Sequence, residues 1–180
     1  MLKYIWQLHV NRKKHFQNAS EKKKGTFMTI TYIYHSCFLI ETAKCYYLFD
    51  YYKGEMPELN RQKPILVFAS HRHTDHYNPR IFTMLSDRGM EKIYAVLPND
   101  IPPKRYPETA SEMIKVYHSQ EYELPCSTHL QTLLSTDRGV AFLIRCEEGT
   151  FYHGGDLNDW GMETDTEQER KQMRGSYRAQ

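Results

Sequence analysis

A short, wholly apolar run, Ile65-Leu66-Val67-Phe68-Ala69, is followed two residues later by His71-Arg72-His73-Thr74-Asp75-His76. No other feature constrains the fold of this chain as tightly. An apolar run of that length, bounded by polar segments, reads as a strand covered on both faces. The C-terminal end of such a strand is a rigid support on which a site can be built. Three imidazoles and a carboxylate within six positions suit a shared metal, with zinc, iron and manganese all compatible. Residues two apart in an extended segment point the same way, so His71 and His73 are expected to grip one ion. Asp75 and His76 follow where strand gives way to turn, and are expected to face a second ion. The competing reading is a solvated, histidine-rich loop.

The flanking sequence supplies a β-rich frame. Thr29 to Ile40 reads as one strand, 41–44 as a turn, and Cys45 to Phe49 as the returning strand, ending at Asp50. Lys53 to Lys63 is polar and reads as a loop. Asn78-Pro79 marks a helix start, Ile81, Phe82 and Leu85 give it an apolar face, and Gly89 ends it. Ile93 to Leu97 is a further strand, and the four prolines between Pro98 and Pro107 impose a loop. Strands are expected at Met113 to Tyr117 and Thr128 to Leu134. A hairpin around Glu147-Glu148-Gly149 is expected to join Val140 to Cys146 with Thr150 to Tyr152. At the end of that hairpin, His153-Gly154-Gly155-Asp156 lets the backbone turn tightly and presents a carboxylate at a strand end. Taken alone, Gly-Gly-Asp is an ordinary turn. Its weight comes from repeating the geometry of the histidine motif.

Charge divides the chain. Residues 1–27 carry seven basic side chains against Glu21, a net +6, whereas the whole chain is only +2. The body, 28–180, is therefore mildly acidic at −4, and nucleic-acid binding is not expected of it. The basic segment lacks the apolar stretch of a targeting peptide and reads as a non-structural extension, with Met28 as a natural start to the domain. No run approaches the ~18 apolar residues of a membrane span. Cys37, Cys45, Cys126 and Cys146 form no C-x-x-C pair and read as buried free thiols of a cytoplasmic protein. Their isolation leaves a thiol-based redox role without support.

The histidine motif after an apolar strand, together with the later strand ending in Gly155-Asp156, resembles the metallo-β-lactamase-fold hydrolases. The opening Ile30 to Glu41, with Leu48-Phe49-Asp50, looks like the first hairpin of that family. Ser135 to Ile144 and His153 to Trp160 look like a lactonase-related bacterial branch of it. The similarity spans 28–160, with a weaker helical continuation in the polar tail, 161–180, where a helix is expected from Thr166 to Arg174. Residues 1–27 have no counterpart. The resemblance implies an α/β (α+β) fold, an αββα sandwich incomplete at its C-terminal side, with a dinuclear centre at one edge. It assigns His71 and His73 to the first ion, Asp75 and His76 to the second, and Asp156 as the bridge between them. Asp50 would support the site from behind, and His35 would line the pocket.

Two departures from that pattern stand out. A further histidine for the first ion is expected between the motif and Asp156, where His118 and His129 are the only candidates apart from His153; Asp137 or water would fill the role otherwise. A last histidine is expected after Asp156, and none follows His153. The implied cofactors are two divalent ions, zinc first, with manganese or iron as alternatives. The implied activity is hydrolysis of a small-molecule lactone, ester or phosphodiester by a metal-bound hydroxide, with Asp75 orienting it or relaying its proton. A domain of the same fold that binds metal without turnover is the main alternative, and an RNA-processing nuclease guided by the basic arm is a third. A sandwich cut short would expose apolar surface, so homo-oligomer formation is expected.

Overall fold

The computed structural model describes residues 8–11, 28–135, 138–157 and 166–178. Two sheets face each other across an aromatic core. The first is mixed and contains β2 (Thr29–Tyr34), β3 (Cys37–Glu41), β4 (Tyr46–Phe49), β5 (Ile65–Phe68), β6 (Ile93–Pro98) and β7 (Glu112–Val116), in that spatial order. The β2–β3–β4 part is antiparallel, and β4 through β7 run parallel. The second sheet is antiparallel, in the order β1 (Leu8–Asn11), β11 (Gly149–His153), β10 (Val140–Cys146), β9 (Thr128–Leu134), β8 (Glu121–Leu124).

The apolar run reads as expected: all of β5 is buried, because each of its faces is covered by a different layer. On one side, Ile65 and Val67 pack with Ile81, Phe82 and Leu85 of α1 (Arg80–Asp87). On the other, Leu66 and Phe68 meet Phe142, Ile144 and Phe151 of the second sheet. Rings stack through this inner layer, with centroids 4.9 Å apart for Phe49–Phe68 and 5.2 Å for Phe68–Phe142. Aromatic pairs at such spacings add to the gain from burial alone. The described residues thus form the helix–sheet–sheet part of an αββα sandwich, in an α+β arrangement. Asn78 Oδ1 accepts from the Arg80 N–H at 3.1 Å at the start of α1, and Gly89 closes it with φ +80°. At the far end, α2 (Glu167–Arg178) begins at a capping box: the Thr166 N–H donates to Glu169 Oε2 at 2.8 Å, and the Glu169 N–H to Thr166 Oγ1 at 3.3 Å.

Four local expectations change. Thr29 to Ile40 is not one strand: the chain reverses at His35-Ser36, and Tyr34 pairs with Cys37. Residues 71–76 are bends and turns rather than an extended segment, closed by N–H donation from His76 and Tyr77 to the His73 carbonyl at 3.1 and 2.9 Å. β8 had no counterpart in the sequence reading. Within the basic segment 1–27, read as non-structural, Leu8–Asn11 forms β1 and pairs with β11.

Candidate metal centre

The C-terminal ends of β4, β5 and β11 converge at one edge of the sandwich, and Asp50 lies at the centre of that edge. It is fully buried and adopts φ 46°. Its carboxylate accepts from the Ser70 N–H at 2.6 Å and the Ser70 hydroxyl at 2.8 Å. Both His76 Nδ1 and His153 Nε2 lie 2.8 Å from its Oδ2. Burial alone would raise the Asp50 carboxyl, but the charges and hydrogen bonds of His153 and His76 outweigh it and hold the group well below the ordinary carboxylate range. With His76 Nδ1 tied to a carboxylate, the ring is fixed and Nε2 points into the site, the usual way an outer carboxylate orients a metal-ligating imidazole.

Around this support the donors fall into two groups. His71, His73 and Asp156 form one, and His35, Asp75 and His76 the other; within each, the ligand atoms lie within 4.8 Å of one another. His71 Nε2 is 2.9 Å from His73 Nδ1 and 3.8 Å from Asp156 Oδ2. Asp156 Oδ1 is 3.1 Å from His76 Nε2. One carboxylate therefore faces both groups, the geometry of a bridge. Burial and the neighbouring His76 lower the His71 pKa, leaving a neutral imidazole with a lone pair to donate. Asp156 is also lowered: burial opposes this, but its hydrogen bond to His76 and the charges of His76 and His71 prevail. These protonation states suit cation ligands.

The loop that carries the motif is held from outside. Arg105, from the proline-rich connection, donates through Nη1 to the Arg72 carbonyl and through Nη2 to the Tyr77 carbonyl, the latter at 2.7 Å. Asp100 Oδ2 accepts from the Arg72 N–H at 3.1 Å. The second sheet reaches in as well, through the Val140 N–H to the Ser70 carbonyl at 2.9 Å.

A sequence profile of the β-lactamase superfamily domain matches residues 29–172. The chain belongs to the metallo-β-lactamase superfamily. None of the curated proteins matches it. Among solved structures, a di-iron β-hydroxylase from Streptomyces venezuelae superposes with TM-score 0.54 at 15% identity, over 76% of this chain and 31% of that one. A protein provisionally described as a metal-dependent hydrolase, from Parabacteroides distasonis, superposes with TM-score 0.53 at 14% identity, over 86% of this chain and 68% of that one. The chain thus spans about a third of the hydroxylase, and at these identities the likeness concerns the fold.

Set against the superfamily pattern, the structure brings together all five residues expected to hold metal: His71, His73, Asp75, His76 and Asp156. Asp50 stands behind them as expected. Of the candidates for an additional first-ion donor, His129 is excluded: on β9 it binds Glu123 Oε1 at 2.8 Å and faces away from the core. His118 is exposed and lies beside Ser119. Asp137 lies outside the described residues. Two contributors exceed the sequence reading. His35, expected only to line the pocket, joins the second donor group. His153 had no assigned role and proves to be a buried partner of Asp50. The signal for His153 is strand parity, since it lies two residues after buried Phe151 and shares the inner face of β11. Among the described residues no helix is long and apolar enough to cross a membrane.

Proposed function

We propose that this chain is a metal-dependent hydrolase that cleaves a small-molecule lactone, ester or phosphodiester with activated water. The observation that carries this reading is the pair of donor groups meeting at Asp156. Imidazoles mixed with carboxylates fit zinc, and equally manganese or iron. Two such ions, when bound, would make a water acidic enough to supply hydroxide near neutral pH and would stabilise negative charge on the substrate. The chain's own residues then have distinct tasks. Asp156 holds the two groups in register. Asp50 and Ser70 keep His76 and His71 in fixed orientations. Asp75 is half exposed, with Oδ2 3.3 Å from His35 Nε2, so it can accept a proton from the nucleophile on the open side of the site. The four cysteines are unpaired, which fits a cytoplasmic setting.

The test is a hydrolysis screen of zinc- and manganese-loaded protein against lactones, esters and phosphodiesters, with His73→Ala alongside. Turnover in the parent and its loss in the variant are expected. Two bound ions with no turnover on any class would instead identify a metal-binding domain that has lost its reaction.

Metal uptake should depend on pH in a defined direction. In the metal-free protein, burial works against a charged His76, but Asp50 and Asp156 dominate and raise its pKa to about 10. An ion that takes the His76 lone pair must displace that proton, so affinity rises as pH rises toward that value. Titration with zinc in weakly buffered solution at neutral pH is expected to release about one proton from His76. His76→Ala should abolish that component of the release.

A further inference from the structure

We propose that His35 is a metal ligand, the third protein donor to the second ion, rather than a pocket-lining side chain. This rests on the two-ion reading above and specifies how its second half is built. The β2–β3 turn places His35 at the site. His35-Ser36 is all that separates Tyr34 from its partner Cys37, and His35 adopts φ 54°. No glycine or asparagine occupies this left-handed position, although either would be more easily accommodated there. Histidine keeps this position at a conformational cost that glycine would avoid, which is in keeping with a role for its side chain.

The turn is also aimed at the site. Ser36 Oγ lies 3.3 Å from His76 Nδ1, which docks the turn on the imidazole that Asp50 orients. The His35 ring meets the His76 ring edge-on at 5.6 Å, and His35 Nε2 reaches Asp75 Oδ2 at 3.3 Å. The His35 side chain is 27% exposed, so one side faces the protein and the other the opening. Two imidazoles and a carboxylate with mutual ligand-atom distances within 4.8 Å match a three-donor transition-metal site. Asp156 Oδ1, 3.1 Å from His76 Nε2, supplies the fourth donor and links this ion to the first group. The second ion is thereby held by the first hairpin, the histidine motif and the Gly155-Asp156 turn together.

The decisive variant is His35→Gly in the full chain. Glycine removes the imidazole and relieves the positive φ, so the metal-free variant is expected to melt at the same temperature as the parent or higher. Zinc loading followed by elemental analysis should give two ions in the parent and one in the variant. Competition against a chromophoric chelator should show the second ion weakened by at least ~100-fold, with the first unchanged. Cobalt substitution adds a spectroscopic readout, since the visible absorption of the second ion should disappear while that of the first remains. Two ions in His35→Gly with unchanged affinity would overturn the proposal while leaving the two-ion reading intact. The same metal count with a shifted pH–rate profile would make His35 an acid–base group, and would also overturn it. Fewer than two ions in the parent itself would remove the two-ion reading, and this inference with it.

Discussion

Asp50→Ala is expected to cost about 3–5 kcal/mol of stability, the range for removing one partner from a buried charged network. No proposed ligand is removed by this change, yet the effect should reach the metal through His76. The carboxylate accepts from Ser70 twice and contacts both His76 and His153, all buried. Alanine leaves those donors buried and without a common acceptor, which costs far more than the net worth of any single bond. For a chain of this size the melting temperature should fall by roughly 10 °C. Metal affinity should fall by about 10–100-fold, because His76 loses the partner that fixes its ring. The pH dependence has a definite sign. A carboxyl held below its ordinary value contributes stability above its unfolded pKa, near 3.8, and loses it as pH falls through the folded value. The gap between parent and variant should therefore be widest near neutrality and narrow on acidification. Thermal melts of the metal-free proteins across that range check this.

Gly139→Ala is expected to be comparably damaging for a different reason. Gly139 has φ +67°, and a Cβ there would lie 2.0 Å from the Ser70 carbonyl oxygen and 2.8 Å from His71 Cβ. These are backbone and first-turn atoms of the metal loop, which cannot yield as a flexible side-chain tip would. The start of β10 must move away, and the bond from the Val140 N–H to the Ser70 carbonyl is lost with it. A loss of about 3 kcal/mol or more is expected, with weakened binding at His71. Gly89→Ala separates the two causes. Gly89 also has positive φ, +80°, but its added Cβ would meet only the Arg61 side chain, at 3.4 Å. It should cost only about 1–2 kcal/mol and leave metal binding unchanged. Equal effects in the two variants, by chemical denaturation, would show that strain rather than close approach governs Gly139.

The legible parts of the fold were those encoded locally. β5 could be read because a strand covered on both faces must be apolar throughout, and α1 because Asn78, the apolar triplet and Gly89 all mark it. β9 alternates between buried and half-buried positions, and β10 opens on the buried apolar run Val140-Ala141-Phe142, so both fall where expected. The turn at His35 was not legible, since its positive φ is carried by a residue that rarely signals one. β8 was missed because Glu121-Tyr122-Glu123-Leu124 buries only Leu124 deeply and owes its strand state to pairing with β9. The residue types of the metal motif mark it as a site, but its spacing does not reveal its conformation. His71 and His73 meet through a chain of turns that a spacing rule for strands does not describe. His35 and His153 come from segments distant in sequence from the motif, and only the assembled sandwich shows that both serve it.

Two donor groups joined at Asp156 call for two bound ions, which a metal count reads out. The chain, stripped with chelator, reloaded with zinc and freed of excess ion, should carry two ions per molecule by elemental analysis. Asp156→Ala should carry fewer than the parent, because its carboxylate faces both groups. A parent protein that retains no ion, or an Asp156→Ala variant that binds two as tightly as the parent, would contradict that arrangement.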